Sequence, residues 1–170
     1  MAPPRFIVFG APASGKSTLL NYLPQHGYCT SIDLENVGGK EANYEVPLDQ
    51  RNETLKRLCF LRALINVDFQ KPLFVGSADI DAAAFPQGWK VIVLHHQNRE
   101  GYLAWAKRRD EPRPDKSGQK YEEMHGHLTS YIERTGPSLI FDPSDYQNRP
   151  DDLAIEVWKK IDPDCKFRPR

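Results

Sequence analysis

The sequence predicts an α/β domain whose parallel sheet is covered by helices on both faces. Two observations predict it. Five short apolar runs alternate with segments of helical spacing, and strands joined through helices lie parallel and buried on both sides. The first run passes at once into a glycine-rich turn and then a helical stretch, so the chain opens as a strand–loop–helix unit. With 170 residues, the stretch 1–170 is expected as one domain, large enough to bury a real core.

The elements follow in order. Arg5 to Phe9 is the first strand, and Lys16 to Leu23 is a helix with no breaker before Pro24. Tyr28 to Asp33 makes a second strand. Gly38-Gly39 marks a loop, and Asn52 to Val67 has helical spacing that turns Leu55, Cys59, Leu61, Ala63 and Leu64 inward. Pro72 to Ser77 and Lys90 to Leu94 are the third and fourth strands. Glu100 to Arg109 reads as helix, and the charged, proline-rich stretch from Arg108 to Gly118 reads as a mobile lid. Lys120 to Arg134 is a further helix, and Ser138 to Phe141 a fifth strand. Asp151 to Ile161 closes the series as an amphipathic helix with Leu153, Ile155, Val157 and Trp158 partly buried; the tail from Lys166 is expected to fray.

Bulk properties exclude several classes. The 23 basic and 23 acidic residues cancel, which removes any global electrostatic case for nucleic acid or membrane. No apolar stretch approaches spanning length, and Met1 to Arg5 lacks the pattern of a secretory signal. Cys29, Cys59 and Cys165 are widely spaced and odd in number, as reduced thiols of a cytoplasmic protein would be.

Chemistry concentrates after the first strand. Gly10-Ala11-Pro12-Ala13-Ser14-Gly15-Lys16-Ser17 is a complete G-x-x-x-x-G-K-[ST] phosphate-binding loop in its proper strand–loop–helix setting. Its glycines let backbone N–H groups curl around a phosphate chain, and the helix beginning at Lys16 turns its positive end toward it. Gly10, Ala13, Ser14, Gly15, Lys16, Ser17 and Thr18 are the expected nucleotide contacts. Lys16 reaches the β- and γ-phosphates of ATP, and the Ser17 hydroxyl takes Mg²⁺.

Ligands of such sheets bind beyond the carboxyl ends of the strands. There, Asp33 and Glu35 project to one side, suited to orienting an acceptor hydroxyl, taking its proton or holding Mg²⁺ through water; a solvated strand end is the plainer reading. Gly76-Ser77 offers close approach to a substrate. Asp79 reads equally as an acid near the metal or as part of a turn and helix cap. Arg108, Arg109 and Arg113 are placed to close over a polyphosphate, although charge runs are usually solvated. Asp142 to Asp145 reads as a base-lining loop or a turn. His95 and His96 follow the fourth strand, and His125 and His127 point in different directions from their helix, which argues against a zinc site. Arg51, Lys56, Arg57 and Arg62 stripe one helix as a solvated face or a nucleic-acid contact.

The ordered set resembles the nucleoside-monophosphate-kinase and shikimate-kinase group of small P-loop phosphotransferases. Gly10 to Thr18 resembles their Walker A, Asp33-Leu34-Glu35 their D-x-D, and Gly76-Ser77 their glycine-rich substrate contact. Lys107-Arg108-Arg109 with Arg113-Pro114 is similar to their arginine-bearing lid. The resemblance implies a three-layer P-loop NTPase fold with a five-stranded parallel sheet ordered 2-3-1-4-5, using ATP and Mg²⁺. It implies an ATP-dependent phosphotransferase acting on a hydroxyl or phosphate of a small molecule or nucleotide, with Lys16, Asp33 and Arg109 catalytic. The triple-glycine shikimate signature and an arginine pattern for an acceptor carboxylate are absent. Ile32 to Glu35 followed by Gly38 is also similar to the P-loop domain of tRNA 2-selenouridine synthases. That similarity keeps open a nucleic-acid acceptor, as in P-loop kinases of hydroxymethylated bases in phage DNA. A regulatory NTPase without acceptor is a third class. A GTPase is disfavoured, since His95-His96-Gln97-Asn98 stands where N-K-x-D would.

Overall fold

A computed structural model describes residues 2–25, 27–33, 64–65, 67–77, 87–110, 118–146, 149–164 and 166. The elements are β1 (Arg5–Gly10), α1 (Lys16–Tyr22), β2 (Thr30–Asp33), β3 (Leu73–Ser77), β4 (Lys90–Leu94), α2 (Arg99–Asp110), α3 (Gly118–Thr135), β5 (Leu139–Phe141), a 3₁₀ turn (Pro143–Tyr146) and α4 (Pro150–Ile161). The five strands form one sheet ordered β2-β3-β1-β4-β5, and every pairing is parallel. β1 lies at the centre, with Ile7 between Val75 of β3 and Val91 of β4.

Burial on both faces explains the unbroken apolar strands. Successive side chains alternate across the sheet. Phe6, Val8, Phe74, Ile92 and Leu94 meet Leu19, Leu20 and Leu23 around α1 and Leu153, Val157 and Trp158 of α4. Ile7, Phe9, Val75 and Val93 meet Tyr102 and Ala106 of α2 and Tyr121, Leu128 and Tyr131 of α3. Phe6 and Phe74, side by side on paired strands, stack at 4.8 Å between centroids, and Trp158 meets Phe74 edge-on at 5.7 Å. Cys29 lies in the first of these cores, where burial pushes its thiol up to about 12 and keeps it protonated. Cys59 and Cys165 lie outside the described residues.

Boundaries differ from the sequence reading in instructive places. β2 starts at Thr30, whose N–H donates to the Pro72 carbonyl at 2.9 Å, so the strand begins where its ladder begins. Asn98 caps α2, its side-chain oxygen accepting from the Gly101 N–H at 3.0 Å. α2 then continues through Asp110, so the stretch expected as a lid opens with the last helical turn, which carries Lys107, Arg108 and Arg109. Positively charged residues suit that end of the helix dipole. The sequence pattern predicts Ile155 partly buried, but it is exposed, because the buried face of α4 is Leu153, Ala154, Val157 and Trp158 and position 155 lies on the far side. Of the expected helix from Asn52 to Val67, Leu64, Ile65 and Val67 are described. They form a turn closed by the Val67 N–H on the Leu64 carbonyl. Its remainder, with Arg51, Lys56, Arg57 and Arg62, lies outside the described residues, as do Glu35, Gly38-Gly39, Asp79 and Arg113. Among the described residues, no helix is long and apolar enough to cross a membrane.

Candidate phosphate-binding site

The loop between β1 and α1 is shaped by three backbone demands. A Cβ at Gly10 would strike the Ser14 hydroxyl and press on Leu94, so only glycine ends β1 there. Gly15 takes φ 84° as it enters α1, a conformation glycine adopts freely. Ala13 takes φ 65°, and the Ser14 N–H closes back on the Ala11 carbonyl at 3.0 Å. Lysine is seldom buried, yet Lys16 is 4% exposed. Its stem lies over Gly76: a Cβ at Gly76 would meet Lys16 Cγ at 3.5 Å and run into Leu20. The glycine on β3 therefore makes room for α1 and the loop lysine, where the sequence reading gave that room to a substrate.

The Ser17 hydroxyl donates to Asp33 Oδ2 at 2.5 Å, joining the start of α1 to the carboxyl end of β2. Two hard oxygen donors from different elements thus converge beside the loop. Magnesium typically uses one or two protein groups together with waters and substrate phosphates. The pair is of that kind, so Ser17 and Asp33 fit the ion. Among the described residues no three His, Cys, Asp or Glu gather into a metal cage of their own.

Behind the loop stands an aromatic and histidine wall that sequence reasoning missed. The Tyr102 hydroxyl donates to the Pro12 carbonyl at 2.8 Å, and Trp105 Nε1 to the Ala13 carbonyl at 3.0 Å. Both come from one face of α2. Aromatic residues three apart on a helix look like ordinary core, and their polar tips carry no periodic signal. Tyr102 is flanked by His125 and His96, each ring 5.3 Å away, and His95 lies 4.7 Å from His125. His125 Nε2 donates to the His96 carbonyl at 2.8 Å, and Thr129 Oγ1 lies 3.4 Å from His95 Nε2. His125 is buried while His127 is exposed, as their spacing requires.

Burial, with the neighbouring His125, lowers the His95 pKa; burial also lowers that of His96, against the pull of Asp142. Asp142 is buried enough to be pushed up. Hydrogen bonds from the Ser144 hydroxyl, the Gln97 N–H and the Ser144 N–H, together with His96, bring it below its usual value. Its carboxylate ties the end of β4 to the 3₁₀ turn. Arg108 and Arg109 are exposed on the last turn of α2, where Arg108 Nε donates to the Ala104 carbonyl of its own helix at 3.4 Å.

Sheet order, loop and helix placement together define the fold of the P-loop small-molecule kinases. A shikimate kinase from Acinetobacter baumannii, solved with shikimate, superposes with TM-score 0.64 at 16% identity over 94% of this chain and 93% of that one. A gluconokinase from Sinorhizobium meliloti 1021 follows at 0.62 and 12%, covering 99% and 98%. A chain of the Pnkp1/Rnl/Hen1 RNA repair complex matches at 0.55 and 13%, over 78% of this chain but 46% of its own length. The sequence matches no protein-family model and no curated protein. At these identities the shared property is the fold.

Proposed function

We propose that the protein is a single-domain cytoplasmic kinase that moves the γ-phosphoryl group of ATP to a hydroxyl of a small molecule. The Ser17–Asp33 pair beside the buried Lys16 carries this reading. Backbone N–H groups of Ala13 and of Gly15 to Thr18 bind the phosphate chain, the Ser14 N–H being taken by the Ala11 carbonyl, and the Lys16 ammonium contacts its β- and γ-oxygens. Ser17 and Asp33 hold the magnesium ion, which when bound offsets charge on the phosphates. Asp33 also positions the acceptor hydroxyl or takes its proton. Arg108 and Arg109, with Arg113 beyond them, close over the transferring group and offset its spread charge. Full-length likeness to a shikimate kinase and a gluconokinase supports a small hydroxylated acceptor, as does the zero net charge.

A screen with γ-labelled ATP and Mg²⁺ across hydroxy acids, sugars, nucleosides and nucleotides tests the proposal. Label should move to a small hydroxylated acceptor, and no transfer to any of them would refute it. The partial likeness to an RNA repair complex motivates a nucleic-acid arm with oligonucleotides and hydroxymethylated DNA. Transfer to these alone would replace the small acceptor with a base or end group.

A further inference from the structure

Residues Ala11 to Ser14 form a β-turn, closed by the Ser14 N–H on the Ala11 carbonyl, with Pro12 and Ala13 at its centre. Positive φ at the second central residue alone marks type II, which favours proline first and glycine or asparagine second. Alanine stands there at φ 65°. Type I differs from type II in ψ of the first central residue and φ of the second. The two interconvert by turning over the single peptide between those residues. Type I would return Ala13 to negative φ, the region alanine prefers. Something must therefore hold the Pro12–Ala13 peptide the other way up.

Tyr102 is in place to do so. Its ring is 1% exposed, fixed between His96 and His125, and its hydroxyl is bonded to the carbonyl that a flip would carry away. A trans peptide is planar, with N–H opposite C=O. Holding the Pro12 oxygen toward α2 thus turns the Ala13 N–H away from α2. Trp105 acts on the next peptide, whose N–H is already bonded to Ala11, so both ends of that peptide are held in either turn type.

We infer that Tyr102 is a positioning residue that locks the Pro12–Ala13 peptide in the type II orientation, presenting the Ala13 N–H to the phosphate chain. The inference rests on the phosphate-binding reading above. Released, the turn relaxes to type I and offers the phosphate a carbonyl oxygen in place of a donor.

Two measurements test it. In the ligand-free protein, the one-bond Cα–Hα coupling of Ala13 separates positive from negative φ. Tyr102→Phe should move it toward the negative-φ value, and an unchanged coupling would overturn the lock. In calorimetric titration with Mg²⁺–ADP, Tyr102→Phe should weaken binding about tenfold, as expected if roughly one molecule in ten keeps the competent turn. Ala13→Gly removes the preference against positive φ. It should restore the Tyr102→Phe protein to within about threefold of wild type, yet give no such gain in a Trp105→Phe protein. Equal binding by wild type and Tyr102→Phe would also refute the lock. Absence of nucleotide binding by the wild type would instead defeat the phosphate-binding reading, while the ligand-free coupling still decides the lock.

Discussion

At the scale of single residues, Lys16 joins two jobs that substitutions can separate. Its ammonium has the proposed role at the phosphate chain, and its stem fills the space over Gly76. Lys16→Met keeps most of the stem and should leave the melting temperature near wild type. Turnover should fall by at least about a hundredfold, since one charge aimed at the transferring group commonly contributes that much. A melting curve and a turnover assay on the same preparation check both. Asp33→Asn keeps the shape beside Ser17 but removes the charge. It should lower kcat far more than it raises KM for ATP, and raise the Mg²⁺ concentration needed for half-maximal rate. A defect confined to stability would return Asp33 to a structural role. The loop with Lys16 and Ser17 stood out in the sequence as one spaced motif after a strand, and Asp33 by its place at the carboxyl end of the next strand. Tyr102 was not, because what matters is where its hydroxyl ends, 90 residues from the carbonyl it meets.

At the scale of elements, strands read more truly than helices and loops. β4 has the bounds the sequence predicted, Lys90 to Leu94, since burial on both sides leaves an apolar run with charged or polar flanks. Helix ends answer to side-chain caps such as Asn98, and α4 shows that an amphipathic face cannot be read residue by residue: Ile155 lies off it. Gly76 gives the sharpest test at this scale. A methyl group there would collide with the buried Leu20 side chain and press α1 off β3. Gly76→Ala should cost about 1–3 kcal/mol by overpacking, lowering the melting temperature by several degrees and weakening nucleotide binding in parallel. Unchanged melting would mean that α1 slides without penalty.

At the scale of the whole molecule, acid should act in two windows. His95 and His96 have pKa values lowered by burial, so the unfolded chain binds protons more readily than the folded one below its histidine pKa of about 6.5. Stability should be flat above that pH and decline as pH falls below it. Asp142, lowered in the folded state, contributes stability above a carboxylate's ordinary pKa; this is lost as pH drops further, through its folded value. Thermal melting from pH 8 to pH 3 checks both, and His95→Gln with His96→Gln should flatten the first decline. The alternation of strands and helices was legible as an α/β sheet, but the order 2-3-1-4-5 came only through resemblance. Periodicity says which residues are buried and nothing about which strand lies beside which.

The face of the sheet that carries α1 is completed by α4, through Leu153, Ala154, Val157 and Trp158. During synthesis the phosphate loop and its helix emerge first, while the side chains that cover that helix emerge more than a hundred residues later. Until then α1 has an uncovered apolar flank, and the loop has no firm floor. A ribosome-held chain halted before Pro150 should therefore be cut readily by protease near Leu19 to Leu23. Extending the same chain through Cys165 and then through an unstructured linker long enough to bring α4 out of the exit tunnel should protect those bonds. Nucleotide competence would arrive late and all at once, when α4 is free to pack.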